Sequence, residues 1–299
     1  MSSTTLATQW NFFKKVLNGT FGSEVGSTES EKVWPKYLDK KPADDLYFDV
    51  QEIVPVGNFE PKAPGQNAGL GHFGQGFSTR VEIKTFAKRI EIPEEVIRFT
   101  KYKKETVEGV KELGRAAKRS MEYQAVAVLN NAFSSSYTGA DGKALCASDH
   151  PLKGGGTYSN APAALTLSNT ALRTYLTACR KMAGSNGLLA GVEGKRLIVP
   201  SDLIWRAHEI LKSAMKDDTS NHTINVMKGK LEPVDVPWMS STTNWFIKTD
   251  APQGLMRFIS DEPEFRQSNN DTALVKEFMG FYRLQDTWAN PRGVLGSNI

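Results

Sequence analysis

From Lys103 to Phe133 the sequence runs without a proline, and Val107, Val110, Leu113, Ala117, Met121, Ala125, Val128 and Ala132 recur at steps of three and four. That spacing lines one face of an α-helix with apolar side chains. A helix of this length is far above the ordinary mean of about 11–12 residues, so it must span the body of a domain or coil against a partner. Strict heptads are not sustained, so the pattern predicts a backbone-like helix laid across a sheet. Pro93, Glu94 and Glu95 suit a first helical turn, because proline lacks a donor that is unused there and carboxylates favour the positive end of the helix dipole. The helix is therefore expected over 93–133, with Glu108–Lys111 and Glu112–Arg115 paired three residues apart. Lys111, Arg115, Lys118 and Arg119 give one half of it a basic face, read either as a solvated surface or as residues facing DNA.

Upstream, residues 1–50 read as an extended arm. Asn11 to Leu17 predicts a short amphipathic turn, followed by a polar stretch through Ser30, and Trp34-Pro35 and Lys41-Pro42 interrupt helix formation. Such a segment has too little apolar surface to fold alone, so it must lie on its own body or on a neighbour. Residues 47–57 and 77–92 predict two strands, the second with a period of two around Val81 and Ile83. Between them, Asn58 to Gly76 is rich in Gly and Pro, and a loop this long is usually functional. Its expected tip, Gly69, Gly71, His72, Phe73, Gly74 and Gly76, matches G-x-G-x-x-G. A dinucleotide site needs a strand before the glycines and a helix opening after them. Here a strand follows, so the glycines predict a flexible tip and no nucleotide.

Downstream, residues 134–164 are loop-like. Ser168 caps an expected helix to Gly184, with Leu172, Tyr175, Leu176, Cys179 and Met182 inward. Arg196 to Pro200 predicts a buried strand, and Ser201 or Asp202 is expected to cap a third helix over Leu203–Met215. Strands are expected around Leu231–Val236, Trp245–Lys248, Leu255–Ile259 and Leu274–Leu284, the last two joined by a polar hairpin.

The 299 residues are 39% apolar and 23% charged with a net charge of +4, an ordinary globular composition without the clustered basic face of a dedicated nucleic-acid binder. No apolar run is long enough to cross a membrane, and Met1 to Trp10 lacks the basic start and apolar stretch of a secretory signal. The expected location is the cytoplasm in which the chain is made, or an assembly formed there. Two cysteines, Cys146 and Cys179, cannot build a disulfide framework. Cys146 and His150 lack the second pair that a structural zinc needs, so neither a metal nor a cofactor is expected. Ser148, Asp149 and His150 are adjacent. Neighbouring side chains on extended backbone point to alternate sides, so these three cannot form a catalytic relay among themselves.

The succession Leu145-Cys146-Ala147-Ser148-Asp149-His150-Pro151-Leu152, then Ser159-Asn160 and Ala164-Leu165-Thr166 leading into a helix, then Gly191 to Lys195 and Leu197-Ile198-Val199-Pro200-Ser201-Asp202-Leu203 before another helix, resembles the major capsid proteins of tailed phages with the Hong Kong 97-type fold, particularly the Mu-like major head subunit group. Tyr282-Arg283 and Arg292 to Ser297 fit the same group, and the resemblance covers the chain from about Val50 to its end. It implies an α+β fold with an N-terminal arm (1–50), an extended β-hairpin loop with flanking strands (51–92), a peripheral domain with a long spine helix (93–162), an axial domain (163–254) and closing strands of both domains (255–299). It implies a structural protein, not an enzyme, that assembles with itself through pentamers and hexamers into an icosahedral shell around double-stranded DNA. Scaffold, portal and cement proteins are the implied partners, with non-specific DNA contact and no membrane. The glycines of the loop tip would act as hinges between copies. The main alternative is an encapsulin-type compartment shell; an enzyme of unknown class is the remote one.

Overall fold

The chain is described from a computed structural model over residues 3–26, 32–54, 56–71, 74–93, 95, 103–215, 224–270 and 274–299. The long helix forms as α2 below, at Lys103–Asn130, and ends close to the expected place. Val110, Leu113, Met121, Ala125 and Val128 on it are buried, and Ala132 just beyond it is buried too. At its expected start Glu95 is helical, residues 94 and 96–102 lie outside the described residues, and Pro93 alone departs from the expectation. Pro93 is the last residue of a strand and pairs with Val275. That strand lies at a sheet edge, where a missing N–H leaves no ladder bond unmade.

The other elements, in chain order, are α1 (Ser3–Gly26), β1 (Asp39–Pro42), β2 (Tyr47–Val54), β3 (Gly74–Glu82), β4 (Lys84–Pro93), α2, β5 (His150–Pro151), β6 (Thr157–Tyr158), α3 (Asn169–Lys181), β7 (Gly194–Val199), α4 (Ile204–Lys212), β8 (Glu232–Asp235), β9 (Trp245–Thr249), β10 (Leu255–Asn270), β11 (Val275–Trp288) and β12 (Val294–Ser297). One sheet has the order β1-β10-β11-β4, with β1 parallel to β10 and the rest antiparallel. The second has the order β12-β9-β7-β8, with only β7 and β8 parallel. β2 and β3 pair with each other as a separate antiparallel hairpin.

Side-chain alternation divides the core. On β7 and β9, Ile198 and Phe246 join α2, Leu145, Tyr282 and Leu284 in one cluster. Their neighbours Leu197, Val199, Trp245 and Ile247 face the other way, onto Leu172, Tyr175 and Cys179 of α3 and Ala207 and Leu211 of α4. The second sheet is thus covered on both faces, which its nearly continuous apolar strands require. α3 forms as expected, with the Ser168 side chain accepting from the Ala171 N–H. α4 does not receive the expected cap. Ser201 and Asp202 lie in a short 3-10 turn, and the Ser201 hydroxyl bonds Asp235 instead.

Three further expectations are corrected. The arm is not extended at its start, because α1 runs through the stretch expected to be polar coil. Leu17 and Phe21 of α1 are buried against Val110, Leu113 and Phe278. Gly280 makes room for this: a Cβ there would lie 3.1 Å from the Phe21 ring. The single strand expected over 77–92 is two strands in two different sheets, broken at Ile83, whose N–H donates to the Leu46 carbonyl. The two late strands are longer than expected, and β12 was not foreseen.

Between α2 and the first sheet sits a buried ion pair. Arg257 and Asp286 are opposite each other on β10 and β11. Nε and one terminal nitrogen of Arg257 donate to the two carboxylate oxygens at 2.6 and 2.7 Å, and that terminal nitrogen also donates to the Met121 carbonyl of α2. The guanidinium lies 4.4 Å from the Trp34 ring. Glu122 next to it accepts the Val33 and Trp34 N–H groups, so α2 holds the arm by its backbone. Burial raises the Glu122 carboxyl above its ordinary range.

Candidate assembly surface

The β2–β3 hairpin carries residues 56–71 at its far end, with no helix or strand in between. Every residue of that segment is exposed, including Val56, Phe59 and Leu70, and Phe59 is as open as in an extended chain. Exposed aromatic and aliphatic side chains on a projecting segment mark a surface that another molecule covers. The expected glycine tip is redistributed. Gly69 and Gly71 lie in the segment, Gly74 and Gly76 are in β3 at the loop-side end of the ribbon, and His72 and Phe73 lie outside the described residues. The turn of the distal segment instead falls at Pro64-Gly65-Gln66, where Gly65 has φ +82°. Gly76 is a packing residue, since a Cβ there would come within 2.8 Å of Glu52.

Glu52 is the anchor of the hairpin. It is buried in β2 and accepts from Arg292 at 2.6 Å and from the Ser185 hydroxyl. Arg292 also donates to the Ala183 carbonyl and to Asn290, and its guanidinium covers the Tyr158 ring at 4.1 Å. Burial pushes the Tyr158 phenol well above its usual range. The node therefore fastens the hairpin to the segment after α3 and to the turn before β12. No sequence pattern pairs Glu52 with Arg292. The one local signal is a carboxylate inside the strand-forming stretch Val50–Val54, where a charge is costly unless paired.

On the other side of Tyr158, His150 is fully buried and stacked on the same ring. Its Nδ1 lies 2.6 Å from Asp141 and its Nε2 lies 3.1 Å from the Asn160 side-chain oxygen. Asn160 in turn donates to the carbonyls of Leu145, Pro291 and Val294. Both ring nitrogens are thus spent on holding the 141–150 loop to the C-terminal segment, while Ser148 and Asp149 are exposed on the opposite side. Ser148 and Cys146 line an open groove of about 630 Å³. Cys146 is buried and its thiol is pushed up by burial; Cys179 is pushed up to about 12 for the same reason. A thiol so raised is inert at neutral pH. Among the described residues no cluster of three His, Cys, Asp or Glu side chains is arranged to hold a metal. No helix among them is long and apolar enough to cross a membrane.

The basic face of α2 is heavily compensated. Lys111 pairs with Glu108, Arg115 with Glu24 and Glu112, and Arg119 with Glu112.

The architecture, two sheets and one long helix with a projecting hairpin, resembles that of solved capsid chains. A chain of the bacteriophage JBD30 procapsid superimposes with a TM-score of 0.55 at 11% identity, over 100% of this chain and 76% of that one. The virus-like particle from Pyrococcus furiosus gives 0.55 at 12% identity, over 95% and 98%. The capsid of the empty GTA particle gives 0.51 at 10% identity, over 89% of each. No curated protein matches by sequence. Residues 76–295 match the phage capsid protein family, and the chain belongs to it. It is a structural protein of a phage capsid shell.

Proposed function

We propose that the chain is the major head subunit of a Hong Kong 97-type shell, close to the Mu-like group. Copies join through pentamers and hexamers into an icosahedral shell around double-stranded DNA. In this reading residues 1–50 are the arm, 51–92 the extended loop, 93–162 the peripheral domain with α2 as its spine, 163–254 the axial domain, and 255–299 the closing strands. The observation that carries it is the hairpin. Its ribbon is clamped beside the loop by a buried ion pair, yet its distal segment exposes Phe59 and Leu70, uncovered among the described residues. A second copy supplies that partner, and head-to-tail contacts of this kind close into rings. The loop segment around Gly69, Gly71, His72 and Phe73 is the proposed contact between copies, with Gly74 and Gly76 setting its base. Lys111, Arg115, Lys118 and Arg119 remain the proposed DNA-facing set. Scaffold, portal and cement proteins are the proposed further partners.

Electron microscopy of the purified chain, beside size-exclusion chromatography at matched concentration, tests the proposal. Shells, rings of five or six, or tubes are the expected result. A monomer that persists on concentration and with added scaffold would refute it. A second reading, an encapsulin-type compartment, is favoured by the likeness to the Pyrococcus furiosus particle over nearly the whole of both chains. Shells that enclose protein cargo and no nucleic acid would select it.

A further inference from the structure

Lys111, Arg115 and Arg119 of α2 are paired with carboxylates, but a second basic surface is not so balanced. On α3, Arg173 and Arg180 lie seven residues apart on one helical face, with Thr177 between them. They line a groove of about 320 Å³ with Lys230, and Leu176 and Val226 supply apolar surface. Lys228 is exposed on the same loop. Glu193 is the groove's acid, and it is already taken by Arg180 at 2.6 Å and Lys195 at 2.7 Å. Arg173, Lys228 and Lys230 form no ion pair among the described residues, and Val226 is 55% exposed. The surface is rigid. The Asn225 side chain donates to the carbonyls of Ile210 and Ser213, and the Gly229 N–H donates to Leu211.

A matching feature lies elsewhere among the described residues. At the bend between β1 and β2, Asp44 and Asp45 are adjacent, exposed and without an ion pair among the described residues. Leu46 and Tyr47 follow at 63% and 60% exposure. Most other exposed carboxylates are matched: Asp49 with Arg80, Asp149 with Lys143, Asp261 with Arg283, Glu262 with Lys40. The bend too is fixed, by the Ala43 N–H donating to Ile259 and the Ile83 N–H donating to Leu46. Two carboxylates followed by two apolar side chains complement cations bordering an apolar groove in both charge and polarity.

We infer that the α3 groove of one copy receives the Asp44–Tyr47 bend of a second copy, as a head-to-tail contact distinct from the hairpin. The inference rests on the proposed self-assembly and names one of its contacts. A ring needs two different complementary patches on each subunit, and these are such a pair. Both sides are held by backbone bonds, so little ordering is lost on contact. The charges steer and select the partner, and the apolar pair supplies buried area.

A charge-swap series tests it. Asp44→Lys with Asp45→Lys should raise the concentration needed for half-assembly at least tenfold, and Arg173→Glu with Lys230→Glu should do the same. The four changes together should bring it back to within about threefold of wild type, which a folding defect cannot do. Reversals that assemble like the wild type overturn the inference, as does a folded four-fold variant that stays defective. Reversals in the groove that leave assembly intact but reduce enclosed nucleic acid also overturn it, in favour of a DNA-facing surface. As an independent readout, chains with Leu46→Cys are mixed with chains carrying Val226→Cys and oxidised; both native cysteines are buried. A mixed disulfide dimer that dominates over either homodimer is expected, and its absence overturns the contact. If the wild type never leaves the monomer, the shell reading falls, and the cysteine mixture decides the contact by itself.

Discussion

Replacing Asp286 with Asn tests whether the core between α2 and the first sheet depends on charge compensation. The substitution keeps the shape and one acceptor. It removes the negative charge from an Arg257 side chain with no exposed surface and a partner only 4% exposed. Breaking a buried pair by removing one partner costs about 3–5 kcal/mol, because the remaining charge is left uncompensated. Two features pull this case to the lower end. Arg257 keeps its bond to the Met121 carbonyl and its place on the Trp34 ring, and the nearby Glu122 carboxylate still offsets part of its charge. We therefore expect a loss of about 3 kcal/mol, a large fraction of the roughly 5–15 kcal/mol that holds a domain folded. The double change Arg257→Met with Asp286→Leu removes both charges and keeps most of the volume. It should cost less than the single change, about 2 kcal/mol or below, since an apolar pair of similar volume often replaces a buried ion pair without loss. Urea unfolding of the unassembled chain, followed by tryptophan fluorescence, measures both. A loss under 1 kcal/mol for Asp286→Asn, or a double variant less stable than the single one, would refute the reasoning.

Glu52→Gln should loosen the hairpin by weakening its hold on Arg292, seen as faster proteolysis within 56–71 at unchanged cleavage elsewhere. Gly280→Val should displace Phe21 and release α1, costing about 1–3 kcal/mol for overpacking and appearing as faster amide exchange over α1. Neither cysteine should react with a thiol reagent at pH 8 in the native chain, because burial raises both thiols, Cys179 to about 12, and both should react in denaturant. Burial raises the folded-state value of Glu122, so the fold binds its proton more tightly than the unfolded chain does. The stability it contributes is complete below the unfolded carboxylate range and declines as the pH rises through the raised value. Glu122→Leu should flatten the fall in unfolding free energy as the pH rises from the unfolded carboxylate range, measured by urea titration across that rise.

Where one helix or strand satisfied itself locally, the sequence was enough to find it. Ser168 followed by Leu172, Tyr175 and Cys179 states both the cap and the buried face of α3. β7 is an apolar run ended by a proline. α1 failed the same test because Asn18, Gly19, Thr20, Gly22 and Ser23 are poor helix formers. What holds it is the seat prepared for Phe21 by Gly280 and Leu113, residues far away in the chain. Phe13, Leu17 and Phe21 are spaced by four, a helical period that continues past Leu17 into the polar stretch. Pro93 suits a first helical turn and a sheet edge equally, and its place in β4 depends on β11, nearly two hundred residues on, although Glu95 two residues later is helical. The functional surface divides in the same way. The length and glycine content of the 58–76 loop announced a projecting segment, but the Glu52–Arg292 clamp spans 240 residues and has no sequence period.

That clamp decides what the hairpin can do. A two-stranded ribbon alone in water is marginal. Here its body-side end is held by Val81 and Ile83 packing on Met256 and Phe258 and its loop-side end by the Glu52–Arg292 ion pair, while the described distal segment, residues 56–71, has no core at all. Burying Phe59 and Leu70 against another surface gains about 1.5–3 kcal/mol for each side chain. A free loop would lose much of that gain to the entropy of ordering its chain. Because the base is already fixed, only the distal segment remains to be ordered on contact. A modest apolar patch on another copy is then sufficient, and the fold stays complete whether or not the patch is met.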